Sequence, residues 1–263
     1  MGALDEIVRH KGRELVGRKA ALPLSELQAR CRSAAPARDF ETALRPRPGR
    51  RVALIAELKK ASPSRGVLAP TFDPLILART YAGNGAAALS ILTDEKFFQG
   101  RIETLAEVRA SVNLPVLRKD FILEEYQLWE SRAFGADAVL LIVAALDPSR
   151  LRDLLHAAKG LGLGALVEVH ARAELDVALS LGAPAIGINN RDLQTFETRL
   201  ETSLELLPLV PPGPVVVSES GFFTRADVER VVAAGAHAVL VGEALVRSSD
   251  VGAKVRELAL WLR

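Results

Sequence analysis

The sequence is poor in the residues that build disulfides and metal centres. A single cysteine, Cys31, stands among 263 residues, which excludes an intramolecular disulfide and any zinc site built from cysteines. The histidines form no HExxH motif and no closely spaced pair, so we expect them at the surface or at helix ends and expect no bound metal. They are His10, His156, His170 and His237.

Long apolar runs and blocks of one charge are also missing. The longest apolar run, Ala138–Leu146, is far shorter than the ~18 residues of a membrane span. The N-terminal stretch lacks the apolar region of a signal peptide, so we expect a cytoplasmic protein without a membrane partner. The 34 basic and 32 acidic residues are interspersed and leave a formal net charge of +2, which predicts no nucleic-acid partner.

From residue 50 onward, short apolar runs alternate regularly with amphipathic stretches. Eight runs have the nearly continuous apolar character of parallel strands that are buried on both faces, and their spacing is about the length of one βα unit. The predicted strands are Val52–Glu57, Ala87–Leu92, Pro115–Lys119, Ala138–Ile142, Ala165–Val169, Ala185–Asn189, Val215–Ser218 and Ala238–Val241.

Helix-start signals fall between these strands. Asp73 and Asp147 each precede a proline, as an N-cap acid precedes a proline in the first turn, and Thr224–Asp227 resembles a capping box. Eight uninterrupted βα units predict an α/β protein of the closed (β/α)₈ TIM-barrel type. A doubly wound open sheet is the alternative, and it is less favoured because no strand is followed by a GxGxxG turn.

We expect a single domain, residues 1–263, in which residues 1–48 form an N-terminal helical extension. Helices are predicted at Leu4–Lys19 and Leu24–Arg32, followed by a connecting loop at Arg45–Gly49. Such an extension could close the bottom of the barrel or cover its mouth, and the sequence does not distinguish between the two.

Polar residues at the carboxyl ends of the predicted strands are the candidates for chemistry, because barrels of this type carry function there. Side chains alternate along a strand, so Glu57 shares a face with Lys59, and Asn189 shares one with Arg191. If these faces point inward, carboxylates and cations meet at the mouth. Such a cluster shifts pKa values in opposite directions, as acid–base catalysis requires.

Lysine is used sparingly in this chain, at 8 of the 34 basic residues. A buried lysine can release its proton, whereas arginine cannot at usable pH. Lys59, Lys60 and Lys119 at strand ends therefore predict titrating or compact positive groups. Glu168, within an apolar run, has the surroundings of a general base. His170, two residues farther along, is expected to tolerate replacement by alanine.

Two glycine-containing turns predict a phosphate site. Ser220–Gly221 follows the seventh strand and Gly242–Glu243 follows the eighth, where backbone N–H groups of such barrels commonly bind phosphate. Glycine allows the backbone to approach a ligand closely. The predicted partner is therefore a small phosphorylated molecule.

Seven segments in order along the chain resemble the indole-3-glycerol-phosphate synthase family of tryptophan biosynthesis, and the resemblance extends from the N-terminal helices to the last strand. Segments of this length at the strand ends are specific, since related barrels share only the phosphate site. The segments are Ala56–Ser64, Leu92–Gly100, Pro115–Phe121, Val167–Val169, Gly187–Leu193, Ser218–Gly221 and Val241–Leu245.

The resemblance implies a lyase that closes the indole ring of 1-(2-carboxyphenylamino)-1-deoxyribulose 5-phosphate and releases CO₂ and water. By the same resemblance, Lys119 is the general acid, Glu168 is the general base of the dehydration, and Glu57 holds Lys119 in place. Lys59 would stabilise developing charge and the substrate carboxylate. Attack on a ketone, decarboxylation and loss of hydroxide transfer no electrons, so no cofactor is expected.

The residues implied by the resemblance fall into three groups. The catalytic group is Glu57, Lys59, Lys119, Glu168, Asn189 and Ser220. The substrate-binding group is Ser62, Phe98, Phe121, Leu140, Arg191 and Glu219, of which Phe98, Phe121 and Leu140 would wall the anthranilate ring. The phosphate-binding group is Gly221, Gly242 and Glu243.

Two alternatives remain at this point. A Schiff-base lyase on the same barrel would use Lys119 or Lys59 as its nucleophile, although the neighbouring Glu57 favours the charged ammonium. A non-catalytic barrel that binds a phosphorylated metabolite is disfavoured by complementary acids and bases at separate strand ends.

Overall fold

The computed structural model describes residues 2–47, 51–63, 65–69 and 71–260. Pro48 and Gly49 of the predicted connecting loop and Ser64 of the segment Ala56–Ser64 lie outside the described residues. The same holds for the two ends of the predicted domain, Met1 and residues 261–263.

Eight parallel strands form a closed barrel in which each strand pairs with its neighbours along the chain and the last pairs with the first. This confirms the predicted barrel and excludes the open sheet. The strands are almost completely buried, because helices cover their outer faces and side chains fill the interior. They are β1 Ala53–Leu58, β2 Ala88–Leu92, β3 Val116–Lys119, β4 Ala138–Ile142, β5 Gly164–Val169, β6 Ala185–Asn189, β7 Val215–Glu219 and β8 Ala238–Val241.

The helices begin where the capping signals predict. Asp73 accepts hydrogen bonds from two backbone N–H groups of the first turn, Asp147 accepts one, and Thr224 forms the capping box with Asp227. The helices are α1 Ala3–Ala21, α2 Leu24–Ser33, α3 Phe40–Leu44, α4 Pro74–Gly83, α5 Glu95–Phe98, α6 Glu103–Ser111, α7 Glu125–Ala133, α8 Pro148–Gly160, α9 Arg172–Ser180, α10 Glu201–Leu206, α11 Arg225–Ala233, α12 Glu243–Val246 and α13 Val251–Leu258.

Three helices that lead into strands end in the same way. Gly135, Gly182 and Gly235 have φ values of +87°, +67° and +111°, a region in which a side chain would be strained. The N–H of the following residue donates back into the helix, as from Ala136 to the carbonyl of Ser131 at 2.9 Å. The left-handed glycine thus ends each helix and turns the chain toward the next strand.

The N-terminal extension contacts both ends of the barrel. Leu4 and Ile7 of α1 border the cavity at the carboxyl ends of the strands. At the opposite end, Phe40 and Leu44 of α3 are completely buried in the core inside the barrel. The two predicted helices are confirmed as α1 and α2, and the short α3, which the sequence analysis did not predict, lies at the bottom.

A buried ionic cluster ties α1 to the mouth of the barrel. Lys11 Nζ lies 2.8 Å from Asp94, 3.0 Å from Asp120 and 3.1 Å from Glu14, and its side chain is 1% exposed. Burial opposes the charge, but attraction by Asp120 and Asp94 outweighs it and raises the pKa of Lys11. Arg118 on β3 contacts Asp120 from the other side at 3.0 Å.

Candidate active site

A cavity of about 890 Å³ opens at the carboxyl ends of the strands. Every residue that the sequence analysis assigned to the site borders this cavity, so strand-end polarity is a good guide to position. Lys60 does not border it but faces a smaller cavity of about 210 Å³, because successive side chains point in opposite directions. The site residues along the cavity are Glu57, Lys59, Ser62, Phe98, Lys119, Phe121, Leu140, Glu168, Asn189, Arg191, Glu219, Ser220, Gly221, Gly242 and Glu243.

One charged layer crosses the barrel at the floor of the cavity. The four odd-numbered strands contribute one residue each, Glu57, Lys119, Glu168 and Glu219, as alternate strands do in barrels of this type. Lys119 Nζ lies 2.8 Å from Glu168 Oε2 and 2.9 Å from Glu219 Oε2. The ammonium therefore bridges two carboxylates that are each almost completely buried.

Glu57 attracts Lys119 and contributes to its raised pKa, but the direct partners of Lys119 are Glu168 and Glu219. Glu57 had been assigned to hold Lys119, but Glu57 Oε1 lies 3.4 Å from Lys59 Nζ on its own strand. Lys119 extends across the barrel to β5 and β7 instead. Glu219, assigned from the sequence to substrate binding, is consequently a direct partner of Lys119.

Two glycines make room for the charged layer. A Cβ on Gly187 of β6 would collide with the carboxylate of Glu219, and a Cβ on Gly242 after β8 would collide with that of Glu57. Gly242 was assigned from the sequence to phosphate alone. Its position shows that it also accommodates a side chain of the charged layer, so even a small substitution there would displace Glu57.

The charged layer shifts pKa values in opposite directions. Burial disfavours the charge of Lys119, but attraction by Glu168 and Glu219 outweighs it and raises the pKa of Lys119. Burial likewise disfavours the charge of Glu168, but Lys119 and His170 outweigh it and lower the pKa of Glu168. For Glu219, burial and repulsion by Glu168 and Glu57 prevail over Lys119 and raise the pKa to about 7.

Glu219 provides a pH-dependent contribution that can be measured. Its pKa is higher in the folded chain than the 4.5 of an ordinary glutamate, so its contribution to stability is complete below about pH 4.5 and is lost as the pH rises through about 7. We expect the free energy of unfolding of the wild type, relative to Glu219→Gln, to fall by up to about 1.4 kcal/mol per pH unit in this window. Urea unfolding at pH 5, 6, 7 and 8 measures it, and a difference that is constant with pH would contradict it.

An apolar wall faces the charged layer. The rings of Phe98 and Phe121 lie 6.4 Å apart between centroids, and Lys59 Nζ lies 5.9 Å from the centroid of Phe98. Leu4 and Ile7 complete this wall from α1. The sequence analysis missed these two residues, because helical periodicity alone does not show which surface an N-terminal helix covers.

The turns after β7 and β8 form the polar end of the cavity. Ser220 and Gly221 have φ values of +70° and +89°, and Asn190 Nδ2 donates to the carbonyl of Ser220 at 3.0 Å. Asn190 is a further residue that the sequence analysis missed. It is buried beneath the turn and does not border the cavity, so it supports the turn from behind.

Arginines surround the carboxylate of Glu243 at this end. Arg247 lies 3.0 Å from Glu243 Oε1, Arg65 lies 3.9 Å from the same oxygen, and Arg191 lies 4.0 Å from Oε2. The backbone N–H of Arg191 also donates to Asn189 Oδ1 at 3.0 Å. These arginines compensate the charge of Glu243 where the turns after β7 and β8 meet the cavity.

His170 contacts the charged layer. Its Nε2 lies 3.3 Å from Glu168 Oε1, an ion-pair contact that lies off the line of a hydrogen bond, and its Nδ1 lies 3.1 Å from Glu174 Oε2. His170 was expected from the sequence to tolerate replacement by alanine, and its contact with Glu168 gives a reason to expect an effect instead. His170 directly follows β5, and its imidazole lies beside Glu168 without bordering the cavity.

The described ranges lack two features that would point to other kinds of function. No group of three or more histidine, cysteine, aspartate or glutamate side chains there could hold a metal ion. In the same ranges, no helix combines the length and the apolar character needed to cross a membrane.

Solved structures with the same fold include phosphate-handling enzymes. A 3-hexulose-6-phosphate synthase from Salmonella typhimurium superposes with a TM-score of 0.64 at 15% identity, over 79% of this chain and 97% of that one. An orotidine 5′-phosphate decarboxylase from Pyrococcus horikoshii has a TM-score of 0.59 at 12% identity, over 78% of this chain and 97% of that one. Identities this low establish the barrel fold alone.

Sequence relatives are far more similar. The chain is 52% identical over 263 residues to an indole-3-glycerol phosphate synthase from Roseiflexus sp. strain RS-1, with 97% of each chain covered. It is 52% identical over 256 residues to one from Acidithiobacillus ferrooxidans, again with 97% of each covered. The family model described as indole-3-glycerol phosphate synthase matches residues 4–258. The closed barrel agrees with these matches, and the chain belongs to the indole-3-glycerol phosphate synthase family.

Proposed function

We propose that this chain converts 1-(2-carboxyphenylamino)-1-deoxyribulose 5-phosphate into indole-3-glycerol phosphate, with Lys119 as the general acid and Glu168 as the general base. The observation that carries the assignment is the 2.8 Å pair of Lys119 Nζ and Glu168 Oε2 at the floor of the cavity. An acid and a base in contact, both reachable from one cavity, can serve one bound molecule in successive steps.

The protonation states suit these roles. The raised pKa of Lys119 keeps the ammonium protonated at neutral pH, and the lowered pKa of Glu168 keeps its carboxylate ionised. Ring closure converts the ketone oxygen into an alkoxide, which is basic enough to take the proton of Lys119. Decarboxylation then restores the aromatic ring. In the dehydration that follows, Glu168 removes a proton from the intermediate as hydroxide leaves it.

The rest of the cavity can orient the substrate. Phe98, Phe121 and Leu140 offer an apolar surface to the anthranilate ring, and Lys59 beside Phe98 can pair with its carboxylate. Asn189 and Ser220 can position hydroxyl groups of the sugar, and Glu57 would act through Lys59. Ser62 lies at the rim of this region.

The phosphate would lie at the turns after β7 and β8. Backbone N–H groups of Gly221, Gly242 and Glu243 can donate to its oxygens, with Arg191 close by. Arg247 pairs with the carboxylate of Glu243, and this pairing weakens the repulsion between that carboxylate and the phosphate.

Gly221→Ala is expected to raise KM at least tenfold while lowering kcat less. A Cβ at φ +89° would meet the side chain of Thr198 and would shift the turn that offers N–H groups to the phosphate. Loss of binding that is shared by the ground and transition states appears in KM. Steady-state kinetics measure the effect.

Gly182→Ala is the matched control for Gly221→Ala. Gly182 also has a positive φ, +67°, but nothing lies within 4 Å of the position of its Cβ, and it follows α9, remote from the cavity. It shares the backbone strain and should leave KM unchanged. Equal KM values for the two variants would remove Gly221 from the phosphate site.

A Schiff-base lyase is the second candidate, and the contacts of Lys119 oppose it. A lysine nucleophile must be neutral, whereas two carboxylates within 3 Å stabilise the ammonium. Borohydride added during turnover would trap a covalent adduct only in the Schiff-base case.

The decisive experiment is a fluorescence assay for indole formation from the carboxyphenylamino-ribulose phosphate. We expect turnover with this substrate and a much higher KM with the analogue that lacks phosphate. Binding of the phosphorylated compound without turnover would instead favour a non-catalytic barrel.

The setting of this activity is also proposed. The chain would act in the cytoplasm on a small diffusible molecule, without nucleic acid, membrane, metal or cofactor, and the extension would fold with the barrel as one domain.

A further inference from the structure

The imidazole of His170 connects the charged layer to the outside of the barrel. Glu174, at the start of α9, receives the backbone N–H of His170 at 2.8 Å and lies 3.1 Å from its Nδ1, both through Oε2. The carboxylate of Glu174 therefore holds the imidazole of His170 at Nδ1. Its other nitrogen then faces Glu168 Oε1 at 3.3 Å.

The two oxygens of Glu168 consequently have different partners. Oε2 contacts Lys119 at 2.8 Å, and Oε1 contacts His170. Charges alternate along the whole chain of contacts, from Glu174 through His170, Glu168 and Lys119 to Glu219. His170 does not border the substrate cavity, so any effect that it has on turnover must pass through Glu168.

We propose that His170, held as an imidazolium by Glu174, is a positioning residue that fixes the carboxylate plane of Glu168 and keeps it ionised for its role as base. This inference rests on the proposed role of Glu168. A carboxylate held at one oxygen can still rotate about its last bond, and a second cation on the other oxygen removes that freedom. The side chain of Glu168 is 2% exposed, so the neighbouring positive charge also strongly favours the ionised form of its carboxylate.

The surroundings keep this imidazole charged. Burial opposes the charge, but Glu168 and Glu174 outweigh it and raise the pKa of His170 to about 10. Asp192, in the segment after β6, also faces this region, although its carboxylate is held by the backbone N–H groups of Thr195 and Gln194. The ammonium of Lys119 contacts the other oxygen of Glu168.

The test compares kcat, KM and the pH profile of kcat in His170→Ala and in the wild type. We expect kcat at pH 7 to fall about tenfold and KM to stay within about twofold, because the interaction acts on the base and not on substrate binding. The acidic limb of the kcat profile should move to higher pH by about one unit, since Glu168 loses a stabilising cation. His156→Ala, on the exposed side of α8, is the matched control and should behave as wild type.

Glu174→Gln provides a second route to the same readout. It leaves the imidazole in place but removes the anion that stabilises its charge, so the acidic limb should move in the same direction by a smaller amount. This variant decides the question if His170→Ala does not fold. A kcat profile that superimposes on the wild type in the folded variants, or a rise in KM equal to the fall in kcat, would overturn the proposal.

Glu168→Gln separates this inference from the proposed function. If Glu168→Gln retains its activity, the assignment of Glu168 as base fails, and the inference fails with it. If Glu168→Gln is inactive while the profile of His170→Ala is unchanged, only the positioning role of His170 fails.

Discussion

Lys119→Met and Glu168→Gln should each lower kcat by roughly 10²-fold or more, with KM changed only a few-fold, because loss of a positioned acid or base acts on the transition state. Both side chains are held by charged partners and face the cavity. Each replacement keeps the approximate size of the side chain, so the surrounding packing is retained. Steady-state kinetics with the phosphorylated substrate measure both effects.

Lys119→Arg distinguishes proton donation from charge. A guanidinium keeps the positive charge between Glu168 and Glu219 but does not release its proton, and its planar shape differs from that of an ammonium. We expect nearly the same loss of kcat as for Lys119→Met. If Lys119→Arg keeps most of its kcat at neutral pH, lysine supplies charge only, and Lys59 becomes the first candidate for the general acid.

Lys11→Met is expected to lower the free energy of unfolding by roughly 3–5 kcal/mol, because it removes the lysine that pairs with the buried carboxylate of Asp94 and one of the two cations that pair with Asp120. Asp94 and Asp120 have completely buried side chains, and Lys11 is within 3.0 Å of both. Urea or thermal unfolding measures the loss. Because Asp120 directly follows Lys119, we also expect kcat to fall in those molecules that remain folded.

Lys19→Met is the matched control on the same helix. Lys19 pairs with Glu124 at 2.6 Å, but its side chain is 47% exposed, and exposed ion pairs contribute only about 0–1 kcal/mol. The two variants lose the same charge from α1 and differ in burial. Similar losses of stability for both would show that the buried cluster does not anchor the extension.

The barrel was predictable because its signals are local. A strand buried on both faces needs a nearly continuous apolar run, such as Ala138–Ile142, and a helix start needs a capping side chain, such as Asp147. The position of the site was predictable for a related reason. A polar residue such as Glu168 at the end of an apolar run can be tolerated only where the strand reaches the mouth.

The pairings within the site were not predictable from the same signals. Lys119 could reach several carboxylates, and only the closed barrel shows that its partners lie on β5 and β7. Glu57 pairs with Lys59 instead.

The roles of Gly187 and Asn190 were missed because they depend on other segments of the chain. Gly187 makes room for Glu219 on the neighbouring strand, and Asn190 supports the turn at Ser220. Phe40 and Leu44 gave too short a pattern to be recognised as the plug of the barrel.

The burial of α3 inside the bottom of the barrel has a consequence for the order in which the chain can fold during synthesis. Phe40 and Leu44 of α3 belong to the same buried cluster as Val215 of β7 and Ala238 of β8, and Arg45 donates to the carbonyl of Gly213. Gly213 and the residues of β7 and β8 are translated about 170 residues or more after Arg45. The apolar residues Phe40 and Leu44 must therefore stay unburied, or be shielded by other contacts, until nearly the whole barrel has left the ribosome.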